Sequence, residues 1–214
     1  MDGRRFLRDW TAAFTVGELV GFVPPALVGA WLGSTQAGDA ATVIGLTLAG
    51  ALEGASIGTA QAFVLGRHDA GVPRARWVAA TAAGAALAWF VGMGGAAVMG
   101  AASSPVVLVA LIPAWLVGLA AMGAFQWLLL RRRGRRTWHW IPVSAGAWLV
   151  GVLIPVAAIS LTPDDWPAPP RVLVAVLSAV AMGLVVGLLT GRVMRRLVAG
   201  DAGGADGSES AQAR

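Results

Sequence analysis

Eleven acidic side chains occur in this 214-residue chain, and two of them, Glu18 and Glu53, fall inside long apolar runs. A carboxylate at the centre of a membrane helix costs from about 2.5 kcal/mol upward, so such a group faces a cavity or a partner. It also exchanges protons, which makes Glu18 and Glu53 candidate ligands on a proton or solute pathway. The competing reading is structural, with both carboxyls protonated, donating hydrogen bonds to Ser56, Thr59 or the glutamines Gln61 and Gln126, and so holding helices together.

Gln61, Gln126 and Thr190 complete the polar intramembrane candidates, because they occupy one position of a repeated pattern, G-x2-[Q/T]-x3-[L/M]-x-R. Its three copies are Gly58, Gln61, Leu65 and Arg67; Gly123, Gln126, Leu130 and Arg132; and Gly187, Thr190, Met194 and Arg196. At 1.5 Å per residue, Glu18 lies about 10 Å inside the start of its run at Thr11. That depth matches the two glutamines, so Glu18, Gln61 and Gln126 are expected in one polar layer. Glu53, twelve residues after Ala41, is expected near the bilayer midplane.

Other chemistries find few residues to carry them. There is no cysteine, and the two histidines, His68 and His139, are far apart with no acidic neighbours at metal-ligand spacing. No phosphate loop and no nucleophile, base and acid at one depth can be assembled. The sequence therefore carries the expectation of no enzyme, no metal and no cofactor.

The elements that must hold the polar residues follow from composition. Of the residues 57% are hydrophobic and 13% charged, with mean hydropathy +0.72, values outside those of a water-soluble domain. A spanning helix needs roughly 20 mostly apolar residues. Six runs qualify: Thr11 to Gly33, Ala41 to Gly66, Trp77 to Gly100, Val106 to Leu130, His139 to Leu161 and Val172 to Met194. The fold class expected is all-α, a polytopic membrane domain over residues 1–198, followed by a disordered cytoplasmic tail over 199–214 that is too polar to pack.

All sixteen basic residues are arginine. Every one but Arg171 falls before span one, between spans two and three, between four and five, or from the last turn of span six onward. Positive charge is retained on the cytoplasmic side, so both termini are expected there, in a multi-pass protein of the cell membrane. The loop Arg131 to Arg136 is read as a topology determinant, with anionic lipid head groups rather than nucleic acid as the expected partner of these arginines. An N-terminal signal peptide is disfavoured, because the first run is long and carries Glu18. The acidic loop around Asp164, Asp165 and Trp166 is expected to be solvated.

Odd spans share a second pattern: Trp10 with Gly17 and Trp77 with Gly84 are seven apart, and Trp140 with Gly146 is six apart. Pairing each even span with the odd span after it gives three pseudo-repeated parallel hairpins, two contiguous and one split between the termini, around an axis along the membrane normal. Glycines four apart, as Gly17 with Gly21, Gly54 with Gly58 and Gly183 with Gly187, place small residues on single helix faces for close packing. Prolines 24, 25, 113 and 155 fall in the outer halves, as kinks or as the rim of a vestibule.

The strings GAFQWLLLRR (Gly123 to Arg132), ALEGASIGTAQAFVLGR (Ala51 to Arg67) and RWVAATAAG (Arg76 to Gly84) resemble those of uncharacterised bacterial multi-span membrane proteins with a G-x-x-Q-W-x-x-L-R motif. The first copy here has Ala62 in place of the motif tryptophan, and the third has Thr190 in place of the glutamine. The resemblance implies topology and brings no activity. Two functions are expected from the residues: small-solute or proton and ion permeation through the polar site, or, alternatively, a non-catalytic scaffold or regulatory subunit for a protein partner.

Overall fold

The computed structural model describes residues 2–102, 104–133, 135–163 and 165–200. The tail 201–214 and Asp164 lie outside them. Among the described residues the chain is helical: α1 (Gly3–Gly21), α2 (Val23–Ser34), α3 (Asp39–Arg67), α4 (Arg74–Ala101), α5 (Pro105–Leu130), α6 (Trp140–Ser160) and α7 (Ala168–Gly200). Two short 3-10 turns, Arg131–Arg133 and Arg135–His139, join α5 to α6. Six stretches are long and apolar enough to cross a membrane: Gly3–Ser34, Asp39–Arg67, Arg74–Ala101, Pro105–Arg133, Thr137–Ser160 and Ala168–Ala199.

The first stretch begins eight residues before the apolar run, because Asp2 caps α1 by accepting the backbone N–H groups of Arg4 (2.9 Å) and Arg5 (3.5 Å). The same donors lower the pKa of its exposed carboxyl. This stretch is also divided. Pro24 and Pro25 have no N–H to give the carbonyls of Val20 and Gly21, and the helix breaks at Phe22 between α1 and α2. Pro113 and Pro155, by contrast, sit within continuous helices.

The helices close into a ring in which α1 packs on α3, α3 on α4, α4 on α5, α5 on α6, α6 on α7, and α7 on α1. On α3 most of the buried residues are small or polar, among them Ala49, Gly50, Glu53, Gly54, Gly58 and Gln61, with Leu46, Ile57, Val64 and Leu65 beside them, whereas Ile44, Leu48 and Leu52 face out, each about 60% exposed. This is the reverse of a water-soluble helix. It suits a hydrocarbon solvent, where large side chains gain nothing by hiding and close backbone contact holds helices together.

Arginine-bearing ends meet at one end of the ring. His68 Nε2 is 3.4 Å from Asp9 Oδ2, Arg195 donates to the carbonyl of Gly3 at 3.4 Å, and Arg133 donates to the carbonyl of Ala70. Arg171, near the start of α7, is at the opposite end.

Candidate functional site

Two polar layers lie inside the ring. The layer nearer the arginine-rich end is built from tryptophans that donate their indole N–H to the residue at the repeated motif position. Trp77 on α4 donates to Gln61 Oε1 on α3 at 2.9 Å, Trp140 on α6 to Gln126 Oε1 on α5 at 3.0 Å, and Trp10 on α1 to Thr190 Oγ1 on α7 at 3.1 Å. Gln126 also donates both amide hydrogens, to Gln61 Oε1 at 3.1 Å and to Thr81 Oγ1 at 2.9 Å. Thr190 passes its own hydrogen to the carbonyl of Val186 at 2.7 Å.

The glycine three residues before each acceptor sets the spacing. A Cβ on Gly58 would stand 3.0 Å from Val78 and 2.9 Å from Thr81; on Gly123, 3.2 Å from Ile141 and 2.8 Å from Ser144; on Gly187, 3.1 Å from Thr11 and 3.2 Å from Phe14. In each case the contacted residues lie one and four positions after the donating tryptophan. With a larger residue the helices would separate and the indole would fall short of its acceptor. Beyond this layer, toward the arginines, Phe6, Leu65, Leu130 and Met194 pack against Trp10, Trp77 and Trp140 in one fully buried cluster. That end of the ring is closed.

Glu18 stands outside the glutamine layer. It follows Trp10 by eight residues, and Glu53 precedes Gln61 by eight, so both lie about 12 Å along their helices from that layer, farther from the arginines. Close contact of α1 with α3 brings them together. A Cβ on Gly17 would lie 3.1 Å from the backbone of Ile57, and one on Gly21 3.0 Å from the carbonyl of Glu53. Ser56 donates to the carbonyl of Gly17 across this seam at 2.9 Å. Thr59 donates to Ala55 within its own helix. Neither hydroxyl serves a carboxyl.

The carboxyls of Glu18 and Glu53 instead stand on the same cavity wall, brought together across this seam, and two buried carboxyls side by side resist ionising together, so the pair favours a state that keeps one proton between them. Glu53 Oε2 accepts a further, short bond of 2.6 Å from the indole N–H of Trp89 on α4. Trp89 reaches it by lying over Gly50, where any Cβ would collide with the ring. Glu18 is 1% exposed and its Oε2 has no hydrogen-bond partner. Such an unsatisfied buried acceptor is costly and calls for an explanation.

Both glutamates line a cavity of about 460 Å³ that runs from them away from the arginine-rich end and is walled by α1, α4, α5, α6 and α7 as well as α3. Phe22, Trp89, Trp115 and Trp148 supply large aromatic surfaces, and Gly92 and Gly118 make room between them. Glu18 and Glu53 are the only titratable groups among its lining residues. No group of three or more His, Asp or Glu placed to hold a metal occurs among the described residues.

The sequence pointed to Glu18, Glu53, Gln61, Gln126 and Thr190 but passed over Trp89, Trp115 and Trp148. Their depth was the available signal. Tryptophan collects at the membrane interface, whereas these three lie mid-span, where an indole N–H needs a protein partner. The sequence also offered Gly146 as the counterpart of Gly17 and Gly84; Gly146 meets nothing within 4 Å and faces outward, while the next residue, Ala147, is buried. Set beside known protein families, curated proteins and solved structures, the chain matches none of them.

Proposed function

We propose that this is a multi-pass protein of the cell membrane that moves a small solute, protons or small ions through the cavity, with Glu18 and Glu53 as its protonatable ligands. The observation that carries this reading is the carboxyl pair on the cavity wall, with Glu18 Oε2 buried and unpartnered. A pair that served only to fasten α1 to α3 would be expected to satisfy its own oxygens. We take the arginine-rich end as cytoplasmic. The cavity then faces the outside, and the cluster around Trp10, Trp77 and Trp140 is the barrier that parts for passage.

The scaffold belonging to this reading is three pseudo-repeated parallel hairpins, α3 with α4, α5 with α6, and α7 with α1. It is supported by the matched offsets: an indole donating to the motif residue in each unit, and the motif glycine seated against the first and fourth residues after that indole. Eight residues from the layer, the same reckoning gives Glu18, Ala85 and Trp148 on odd spans and Glu53, Gly118 and Met182 on even ones, all six on the cavity wall. The carboxyls thus occupy two of six comparable places, adjacent across α1 and α3. Packing a repeat does not need that asymmetry; a binding site does.

The test is proton and small-ion flux into liposomes holding the purified protein, comparing wild type with Glu18→Gln and Glu53→Gln. A pH-dependent flux lost in both variants is expected. Absence of flux in wild type, with the variants as stable as wild type, would overturn the reading and favour a scaffold.

A further inference from the structure

A site that handles protons alone needs a chain of polar groups or water, yet only two residues on this cavity wall are ionisable and most of the remainder is aromatic, aliphatic or small. Its volume of about 460 Å³ falls within the roughly 300–1,000 Å³ of small-molecule sites. An anion is disfavoured by the carboxyls and by the absence of any arginine or histidine from the wall. A neutral apolar molecule would leave Glu18 Oε2 buried and unsatisfied. A small hydrated metal ion would find two carboxyls and no other side-chain oxygen to replace its water, since the indoles of Trp89, Trp115 and Trp148 offer only N–H donors.

An organic cation meets each feature. Its charge pairs with the carboxyls, its apolar body fills the aromatic space, and indole faces attract cations without demanding hydrogen bonds. Desolvation favours this partner, because a large cation gives up less hydration than a compact ammonium or metal ion.

Building on the permeation reading above, we propose that the cavity is a binding site for a hydrophobic organic monocation, taken up in exchange for the proton that Glu18 and Glu53 share. The charges balance. With one shared proton the two carboxyls carry a net charge of −1. When the cation enters and the proton leaves to water, two carboxylates and one cation again sum to −1. On α4, α5, α6 and α7 the wall presents no further titratable group, and on α1 and α3 only these two, so the exchange belongs to the pair. Trp89, donating to Glu53 Oε2, holds that carboxyl at the wall beside Glu18, whose Oε2 has no hydrogen-bond partner of its own.

Tetraphenylphosphonium is a suitable probe, since it is permanently charged and brings no proton of its own. Binding to the purified full chain in detergent should be saturable, should release about one proton per cation into weakly buffered solution, and should tighten by up to about tenfold per pH unit. Glu18→Gln and Glu53→Gln should each weaken it more than tenfold. Gly92 lines the cavity and has nothing within 4 Å of a Cβ, so Gly92→Leu should occupy the space and abolish binding while the protein stays folded. Binding that releases no proton and ignores pH would overturn the exchange. No binding, or binding untouched by Gly92→Leu, would overturn the site. Proton flux lost in the glutamate variants alongside absent tetraphenylphosphonium binding would reject the organic cation and leave the permeation reading standing.

Discussion

Trp89 Nε1 lies 2.6 Å from Glu53 Oε2, and the contact exists because Gly50, three residues before Glu53 on α3, leaves room for the indole to cross the helix. A residue on one span thereby orients a carboxyl on the next. Trp89→Phe keeps the ring and removes the donor, leaving a buried carboxyl oxygen short of one bond. The expected loss is about 1–3 kcal/mol of unfolding free energy. In a double-mutant cycle with Glu53→Met, which removes the acceptor, the two losses should be less than additive. Full additivity would mean that the bond holds nothing in place.

Gly50→Ala tests the same geometry from the other side. The new methyl group collides with the Trp89 ring, so the indole must withdraw from Glu53. Flux and tetraphenylphosphonium binding should fall to the level of Trp89→Phe or below. Wild-type behaviour in both assays would show that the indole need not cross α3 at this point.

Much of the glutamine layer was legible in the sequence, because the Gly58 and Gln61 spacing recurs as Gly123 and Gln126 and as Gly187 and Thr190 along single helices, where spacing fixes direction. The six apolar stretches were legible for the same kind of reason. The Glu18 and Glu53 pair was not, since it depends on α1 lying beside α3, a fact about ring order that no single-helix period contains. Glu18 was expected among the glutamines because its depth was counted from Thr11, the first residue of its apolar run. The helix starts at Gly3, and its member of the layer is Trp10, eight residues earlier.

Gln126 is the hub of its layer, with its carbonyl oxygen and both amide hydrogens engaged. Gln126→Leu orphans the Trp140 N–H in a site excluded from water. A loss of about 1–3 kcal/mol per stranded group is expected. Thr190→Val strands only the Trp10 N–H and should cost less. Equal, negligible losses in urea or detergent unfolding would show that the layer is not held by these bonds.

Glycines that look alike in the sequence should separate sharply in experiment. A Cβ on Gly84 would collide with the backbone of Met122 on α5, whereas one on Gly146 meets nothing within 4 Å. Gly84→Val should force α4 and α5 apart and unfold the protein at markedly lower denaturant than wild type. Gly146→Val should cost no more than its helix propensity, under about 1 kcal/mol. Similar destabilisation by both would contradict the packing of α4 on α5.

The absence of native cysteine allows the direction of the cavity to be read with single introduced thiols. Met182 lines the cavity, and Met194, twelve residues further along the same helix, is fully buried beyond the tryptophan layer. Water and water-soluble reagents that enter from the end opposite the arginines should reach a thiol at the first position and not at the second. Met182→Cys should therefore react with a membrane-impermeant thiol reagent added outside cells, and tetraphenylphosphonium should slow the reaction if it occupies the space. Met194→Cys should stay unreactive from either side until the Trp10, Trp77 and Trp140 cluster parts. Reaction of Met194→Cys from outside at the rate of Met182→Cys would mean that the cluster is no barrier, and the permeation reading would then lack the closed end it requires.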